Sequence, residues 1–163
     1  MKFEHLVELN DLLNPLIDVI TREQLWRGLV LRAESPRLFV SYLDDAVITD
    51  KTEVSMMRRL RYGELIVNDT VTFSHLNHVH YDVPAQGDIP SSTLRMIIEE
   101  PQPARLFVRF IYDDGHSGNG DNADEADQMY NDFRKSAYEE ADIDTIRIIR
   151  ELAGTGRLDA SLN

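Results

Sequence analysis

The chain has 163 residues, of which 42% are hydrophobic, and a formal net charge of −12 at pH 7. Its length fits a single domain over residues 1–163, because one hydrophobic core usually serves about 100 to 200 residues. The excess of negative charge would repel polyanions, which argues against nucleic acid as a partner. Cysteine is absent, which excludes disulfides, thiolate metal sites and thiol nucleophiles.

The first ten residues, MKFEHLVELN, lack the charged and then apolar run of a secretion signal. No apolar stretch approaches the roughly 18 residues that a membrane-spanning helix needs. A chain without cysteine is also compatible with a reducing compartment. We therefore expect a cytoplasmic protein that does not insert into membranes.

The amino-terminal part of the sequence predicts one strand followed by two short helices. Residues 2–10 alternate between apolar and mostly charged side chains, as a half-buried strand does. Thr21 and Gln24 form a capping-box pattern, so the first helix should begin there and extend to about Ala33. Ser35, followed by a proline at the first helical position, predicts a second short helix.

The middle of the sequence predicts an antiparallel meander, because its β-rich runs are separated by turn residues and not by helical crossovers. Turns are expected at Tyr62-Gly63, at Leu76-Asn77, in the loop AQGDIP and in the segment PQP. The predicted strands lie near residues 45–50, 53–62, 65–75, 78–83, 92–100 and 104–112.

The segment DDGHSGNGDNAD breaks regular structure and precedes a long helix, predicted from about Asp124 to Ala153 and ended by glycines. The segment does not fit a calcium loop, because the required acidic residues and glycine cannot be put in one register. We expect it to be a flexible hinge. Residues 113–163 hold 13 acidic and 5 basic residues, so the end of the chain is strongly acidic.

The predicted strands define an inner face, because alternate residues of a strand point to opposite sides of a sheet. In the strand at 92–100, for example, Arg95 and Glu99 mark the solvent side and leave three apolar side chains inside. The same reasoning assigns to the inner face Met56, Leu60, Tyr62, Val71, Phe73, Val79, Tyr81, Leu94, Met96, Ile98, Leu106, Val108, Phe110 and Tyr112.

When the long helix is projected at about 100° per residue, its mostly apolar residues form one broad stripe along one face. Three alanines in its first half would leave room beneath the helix, and Tyr130 and Arg134 bring polar ends into the stripe. Such a combination is typical of a ligand cavity. Alternatively, the two polar ends reach the helix edge and the alanines permit close packing. The predicted stripe consists of Ala126, Tyr130, Phe133, Arg134, Ala137, Ala141, Ile148 and Leu152.

This order of elements resembles the START-like, birch-pollen-allergen-like superfamily of polyketide cyclases/dehydrases and lipid transport proteins. The segments LNPLIDVITREQLWRGLVLRAESP and VHYDVPAQGDIPSSTLRMIIEEPQPARLFVRFIYDD are similar, more narrowly, to a family of unknown function grouped with acetylaranotin-cluster protein L. The resemblance covers Phe3 to Leu152. It implies an α+β helix-grip fold, in which a seven-stranded curved antiparallel sheet wraps around the long C-terminal helix.

The resemblance also implies a hydrophobic cavity for lipids, polyketides or other aromatic molecules. It brings no catalytic residues, because cyclases, hydrolases and carriers share the scaffold. In such a cavity Tyr62, Tyr81 and Tyr130 would supply hydroxyl groups, and Arg134 would supply a cationic end for a carboxylate or enolate. The candidate ligand-binding residues are Trp26, Tyr62, Phe73, Tyr81, Met96, Phe110, Tyr130 and Arg134.

The histidines are the natural candidates for a general base near neutral pH. His78 and His80 share the outer face of a strand and would need further ligands, such as Asp82, to hold a metal, so we expect no metal site. His5 and His75 can instead point inward. The sequence contains no phosphate-binding loop or dinucleotide fingerprint, so we also expect no cofactor.

Three functions remain open. The first is a non-catalytic module that binds a small hydrophobic molecule. The second is an enzyme of the cyclase or dehydratase type, in which Arg134 stabilises an enolate while His5 or His75 moves a proton. The third is a partner-binding protein whose acidic helix recognises a basic protein. The sequence favours the first function and does not fix the oligomeric state.

Overall fold

The computed structural model describes residues 1–114 and 125–159, except for the side chain of residue 127, and the predicted hinge therefore lies mostly outside the described residues. The described elements follow the order expected for the helix-grip fold. They are β1 (Lys2–Glu8), α1 (Arg22–Glu34), a short 3₁₀ helix (Pro36–Leu38), β2 (Asp45–Thr49), β3 (Ser55–Tyr62), β4 (Leu65–Ser74), β5 (His78–Val83), β6 (Ser92–Gln102), β7 (Arg105–Asp113) and α2 (Glu125–Gly154).

All seven strands form one curved antiparallel sheet in the order β1-β7-β6-β5-β4-β3-β2. The predicted meander is confirmed, and β1 joins it by pairing with β7. Three of the predicted turns place a residue in the left-handed region, Gly63 at φ 62°, Leu76 at φ 61° and Gly87 at φ 54°. The turn predicted at PQP is shifted, because β6 continues through an irregular register to Gln102 and Ala104 takes the left-handed conformation.

The helix α1 begins with the predicted capping box. The Thr21 hydroxyl accepts a hydrogen bond from the Gln24 backbone N–H at 3.1 Å, and the Gln24 side-chain oxygen accepts one from the Thr21 N–H at 2.9 Å. The second predicted helix is only one 3₁₀ turn, and the Ser35 side chain does not cap it. Further along α1, Gly28 permits close contact with α2, because a Cβ atom there would lie 2.9 Å from the Ile149 side chain.

The core lies between the inner face of the sheet and the two helices, and the predicted inner face of the sheet is confirmed. Every residue assigned to it is buried or packs against the buried cluster, except Tyr62, which is half-buried at the end of β3. Six of these side chains have 0% exposure: Met56, Val71, Val79, Met96, Val108 and Phe110. The alternation of strand residues therefore fixes which side chains face α1 and α2.

The predicted inner stripe of α2 is wrong over the first half of the helix. Tyr130 is 57% exposed and Phe133 is 72% exposed, and all three alanines of the stripe are exposed. The buried face instead contains Asp142 and Thr145 together with Ile146, Ile149 and Leu152. The prediction fails because a projection based on hydrophobicity assigns every aspartate to solvent. Asp142 can be buried because it has hydrogen-bond partners inside the protein.

Candidate functional site

A cavity of about 280 Å³ lies between the inner face of the sheet, the end of α1 and the middle of α2. Its size is near the lower limit of small-molecule sites, about 300 Å³. Its walls combine aliphatic side chains, tyrosine rings and a few charged groups. The lining residues are Arg32, Arg58, Leu60, Tyr62, Val67, Asp69, Tyr81, Val83, Ser92, Thr93, Leu94, Tyr112, Asp114 and Tyr138.

The buried ion pair between Arg58 and Asp69 crosses from β3 to β4, where the two residues are direct partners. The Arg58 Nε donates to Asp69 Oδ1 at 2.9 Å, and Nη2 donates to Oδ2 at 2.5 Å. The Arg58 Nη1 donates to the carbonyl oxygen of Ala33 near the end of α1 at 3.0 Å. The charge of Arg58 is therefore neutralised within the protein, as a buried charge requires.

Arg32 and Tyr81 differ from that pair, because their polar groups are only partly satisfied. The Arg32 Nε donates to the Thr145 hydroxyl at 3.3 Å, and the side chain forms no ion pair among the described residues. Its guanidinium carbon lies 5.3 Å from the Tyr81 ring centroid. The Tyr81 hydroxyl is buried beside Arg32, where its oxygen helps to raise the pKa of the guanidinium through charge and a weak side-chain contact, but it has no partner in good hydrogen-bond geometry among the described residues.

A chain of hydrogen-bonding groups joins the cavity wall to the protein surface. The Tyr112 hydroxyl donates to one oxygen of Asp142, and the other oxygen lies 3.2 Å from the Nδ1 of His5, whose side chain is 22% exposed. Burial raises the pKa of Asp142 to about 6, although both hydrogen bonds act in the opposite direction. Burial and the nearby Asp142 carboxylate also raise the pKa of the Tyr112 hydroxyl, which is therefore protonated at pH 7.

The edge of the cavity is formed by Asp114 and Tyr138, and Arg134 contacts both of them. The Tyr138 hydroxyl donates to the Asp114 carboxylate at 3.0 Å, and the Arg134 guanidinium forms an ion pair with the same carboxylate. The Tyr138 ring stacks on the ring of Tyr112 with a centroid distance of 4.0 Å. Arg134 was predicted to offer a free cationic end, whereas its charge is compensated by Asp114.

The structure brings together only some of the predicted ligand-binding residues. Tyr62 and Tyr81 line the cavity, whereas Met96 and Phe110 have 0% exposure and belong to the core. Tyr130 lies on the exposed side of α2, where the Arg134 guanidinium carbon is 5.5 Å from its ring centroid. Whether any of these side chains contacts a ligand stays a prediction.

The two remaining candidates, Trp26 and Phe73, line a separate depression of about 320 Å³. Their rings meet edge to face at a centroid distance of 6.4 Å. His75, which was expected to face inward, lies in the same depression, and its ring centroid is 5.8 Å from that of Trp26. His75 is exposed and does not reach the cavity beneath α2.

His78 and His80 lie on the outer face of β5, as the alternation predicted. The Arg95 Nε donates to the Nδ1 of His80 at 3.4 Å. Partial burial, together with the positive charge of Arg95, lowers the pKa of both histidines. The described part of the chain contains no group of three or more histidine, cysteine, aspartate or glutamate side chains that could hold a metal ion.

Sequence reasoning missed Arg32, Arg58, Asp69 and Asp142 as residues of this site, although signals for three of them were present. Arg58 lies between inward residues of β3, and Asp69 between inward residues of β4, so alternation alone puts both on the inner face. Arg32 follows the buried Leu29 by three residues, which is helical spacing for the same face. Charged side chains are usually assigned to solvent, and this habit hides such positions.

The fold and the cavity together define a helix-grip protein. Residues 7–156 match the family described as acetylaranotin biosynthesis cluster protein L, and the chain belongs to that family. No curated protein sequence matches the chain significantly. Among the described residues, no helix is both long enough and apolar enough to cross a membrane.

Solved structures share the fold at low sequence identity. The di-domain ARO/CYC StfQ from the steffimycin biosynthetic pathway aligns with a TM-score of 0.70 and 7% identity, over 94% of this chain and 51% of that chain. The Zhui aromatase/cyclase from Streptomyces sp. R1128 aligns with a TM-score of 0.60 and 11% identity, over 96% and 94% of the two chains. Ara h 8.0201 aligns with a TM-score of 0.56 and 10% identity, over 95% and 98%. The chain thus spans about half the length of StfQ and nearly all of the other two.

Proposed function

We propose that the chain binds a small hydrophobic or aromatic molecule in the cavity between the sheet and α2. The observation that carries this proposal is the composition of the cavity wall, in which aliphatic side chains such as Leu60, Val67 and Leu94 surround a few converging polar groups. Small-molecule sites are typically built in this way, since apolar surface supplies affinity and a few polar groups fix orientation.

The names of the similar structures support a lipid-like or polyketide-like ligand. Two of them are aromatase/cyclases, and one of those comes from a named biosynthetic pathway. We extend this ligand class to the present chain as part of the proposal. We also propose that the chain acts as one domain in the cytoplasm, where a protein without cysteine needs no oxidising environment.

The test uses N-phenyl-1-naphthylamine, a neutral aromatic probe whose fluorescence rises in an apolar environment. We expect the wild-type protein to bind this probe and Leu94→Trp to bind it at least about tenfold more weakly, because the larger ring fills the cavity. Met57→Trp is the matched control, since Met57 is 47% exposed on the outer side of β3. Equal binding by both variants would show that the probe does not occupy this cavity.

A second candidate function is proton-transfer catalysis of the cyclase or dehydratase type. The observation that favours it is the chain from Tyr112 through Asp142 to His5, which could pass a proton between the cavity and solvent. Mass spectrometry of a polyketide after incubation with the protein distinguishes the two functions. A carrier returns the molecule unchanged, whereas an enzyme converts it, and His5→Gln should slow that conversion.

A third candidate is association with a basic protein through the exposed face of α2. Met129 is 74% exposed and Phe133 is 72% exposed, and acidic residues such as Asp132 and Glu139 are also exposed on this helix. Association of this kind would weaken as salt is added and would not depend on the cavity. Binding that disappears in Leu94→Trp would therefore argue against it.

A further inference from the structure

We propose that the ligand carries an anionic oxygen on a flat aromatic body, and that Arg32 and Tyr81 hold this oxygen. The chemical class is an aromatic phenolate, enolate or carboxylate. The inference rests on the proposed function, because it requires a ligand in the cavity. It goes further in naming the charge of the ligand and the two side chains that select it.

The first argument is a count of the charges around the cavity. Arg58 is neutralised by Asp69, and Asp114 forms ion pairs with both Arg134 and the N-terminal ammonium group of Met1. Among the charged residues that line the cavity, Arg32 is the one without an ion pair to a described residue. A guanidinium group that leaves water without a counter-ion is costly, so a ligand anion would stabilise this arrangement.

The second argument is the unsatisfied hydroxyl of Tyr81. Tyr81 is 4% exposed, and its hydroxyl makes no hydrogen bond to a described residue. Buried polar groups in proteins nearly always have a partner, so an orphaned one in a cavity wall indicates a missing acceptor or donor. The Arg32 guanidinium can only donate hydrogen bonds, so it cannot accept the proton of the Tyr81 hydroxyl. An anionic oxygen of a ligand could accept a hydrogen bond from the hydroxyl and from the guanidinium at the same time.

The nearby carboxylate of Asp142 does not already fill this role. Its two oxygens are engaged by the Tyr112 hydroxyl and the His5 ring, and neither forms an ion pair with Arg32. Arg134 has one buried nitrogen without a partner, but its charge is compensated by Asp114 and it does not line the cavity. Arg32 is therefore the cation of the cavity lining that has no carboxylate bonded to it among the described residues.

The shape of the site favours a flat ligand body. Tyr81, Tyr112 and Tyr138 present rings to a cavity of about 280 Å³, which leaves room for a few fused rings at most. Aromatic pairs stack face to face with an offset or meet edge to face, so these rings favour a planar partner.

The net charge of −12 repels anions from the molecule as a whole. Any preference of the protein for an anionic ligand must therefore come from charged groups close to the cavity.

The experiment compares two probes that share one ring system. The neutral probe is N-phenyl-1-naphthylamine and the anionic probe is 8-anilinonaphthalene-1-sulfonate, which adds one sulfonate group. We expect wild-type protein to prefer the anionic probe and Arg32→Gln to lower that preference by about tenfold or more, as the loss of a charge-assisted hydrogen bond implies. Affinity for the neutral probe should change by less than about twofold.

The controls separate the charge of Arg32 from other effects. Arg37→Gln removes the same charge at an exposed position and should leave the preference unchanged. Arg32→Lys should restore part of the preference, and Tyr81→Phe should lower it severalfold while the protein stays folded by circular dichroism. Leu94→Trp measures binding of the anionic probe outside the cavity, and that amount is subtracted.

Two results would overturn the inference. If Arg32→Gln is folded and keeps the wild-type preference, Arg32 does not recognise the anion. If Arg134→Gln instead abolishes the preference, the anion binds at the edge of the cavity. In either case the proposed function stands as long as Leu94→Trp loses the neutral probe, and it fails if Leu94→Trp binds that probe normally.

Discussion

The tyrosines around the cavity illustrate how the same side chain can be satisfied or left unsatisfied by its neighbours. Tyr112 donates a hydrogen bond to the buried carboxylate of Asp142, which is 2% exposed. The guanidinium carbons of Arg32 and Arg58 are 5.3 Å and 5.0 Å from the ring centroid of Tyr81, whose hydroxyl has no partner in good hydrogen-bond geometry among the described residues. The contacts of Tyr81 are therefore made mainly by its ring.

This contrast predicts that the same change, from tyrosine to phenylalanine, has effects of different size at the two positions. Tyr112→Phe should lower the free energy of unfolding by about 1–3 kcal/mol, because Asp142 loses a hydrogen bond to a buried charged group. Tyr81→Phe should change it by less than about 0.5 kcal/mol, because the deleted hydroxyl has no partner and the ring remains. Urea denaturation of the two variants at pH 7 measures both values.

Equal destabilisation of the two variants would contradict this interpretation. It would mean that the Tyr81 hydroxyl has a partner in solution, such as an ordered water held by Arg32. The comparison needs no further control, since both changes remove one oxygen from a buried tyrosine on the inner face of the sheet.

The sequence identified the apolar and aromatic residues of the site better than the charged ones. Alternation along the strands predicted that Tyr62 and Tyr81 face inward, because both follow the period of two set by their apolar neighbours. Alternation also places Arg58 and Asp69 on the inner face, but charged side chains are usually assigned to solvent, and the burial of these two is stable because they pair across 11 positions. Their pairing follows from the register of β3 and β4, which residue types alone do not give.

At the scale of elements, α2 is attached to the sheet by polar as well as apolar contacts. The Asp142 carboxylate accepts a hydrogen bond from the Tyr112 hydroxyl on β7 and lies near His5 on β1. The Thr145 hydroxyl accepts a hydrogen bond from Arg32 on α1. One turn further on, Ile149 packs against Gly28. Because Asp142 lies at this junction, its ionisation should affect how strongly α2 is held.

Burial of Asp142 predicts a specific dependence of stability on pH. Its pKa rises from 3.8 to about 6 on folding, so the folded protein binds this proton more tightly than the unfolded chain does. As pH increases from about 4 to about 6, this group therefore lowers the free energy of unfolding, and above pH 6 its cost stays constant. At about 1.4 kcal/mol per pH unit, the total is at most about 3 kcal/mol.

Comparison with Asp142→Asn isolates this contribution from those of the other carboxylates. We expect the variant to become more stable relative to wild type as pH rises from 4 to 7, because the neutral amide does not ionise. Asp144→Asn, which removes an exposed carboxylate from the same helix, should show little change over that range. A difference between wild type and Asp142→Asn that stays constant with pH would contradict the raised pKa.

The elements themselves were largely predictable, whereas the orientation of α2 was not. The six strands of the meander and the capped start of α1 follow from local signals, namely alternation, turn residues and the Thr21–Gln24 pair. The face that α2 buries depends instead on which side chains of the sheet can form contacts and hydrogen bonds with it. Asp142 is buried because Tyr112 and His5 satisfy it, and Phe133 is exposed although a hydrophobic projection places it inside.

At the scale of the whole molecule, the dominant electrostatic feature is the net charge of −12. Mutual repulsion among like charges destabilises a compact state. Ion pairs near the surface, such as Arg109 with Glu99 and Glu4 or Arg147 with Glu151, stabilise the folded state. Each such pair contributes only about 0–1 kcal/mol. The repulsion is shared by the entire chain, and we expect it to be the larger effect.

Added salt should therefore stabilise the protein. Raising the concentration of sodium chloride from about 10 mM to about 100 mM shortens the Debye length from about 30 Å to about 10 Å, which screens repulsion across the molecule. We expect the midpoint of thermal unfolding at pH 7 to rise over this range. A falling midpoint would show that the exposed ion pairs outweigh the repulsion.

A rise could also have a local cause, because chloride could occupy the site that we assign to a ligand anion beside Arg32. The two causes differ in how they respond to Arg32→Gln. Screening acts on the whole charge distribution, so the variant, at −13, should keep the same increase in the midpoint as wild type. Binding of chloride would stabilise only a protein with the intact site, since a ligand stabilises the state that binds it. An increase that disappears in Arg32→Gln and persists in Arg37→Gln would thus assign the salt effect to Arg32, whereas the same increase in both variants would assign it to the charge of the molecule.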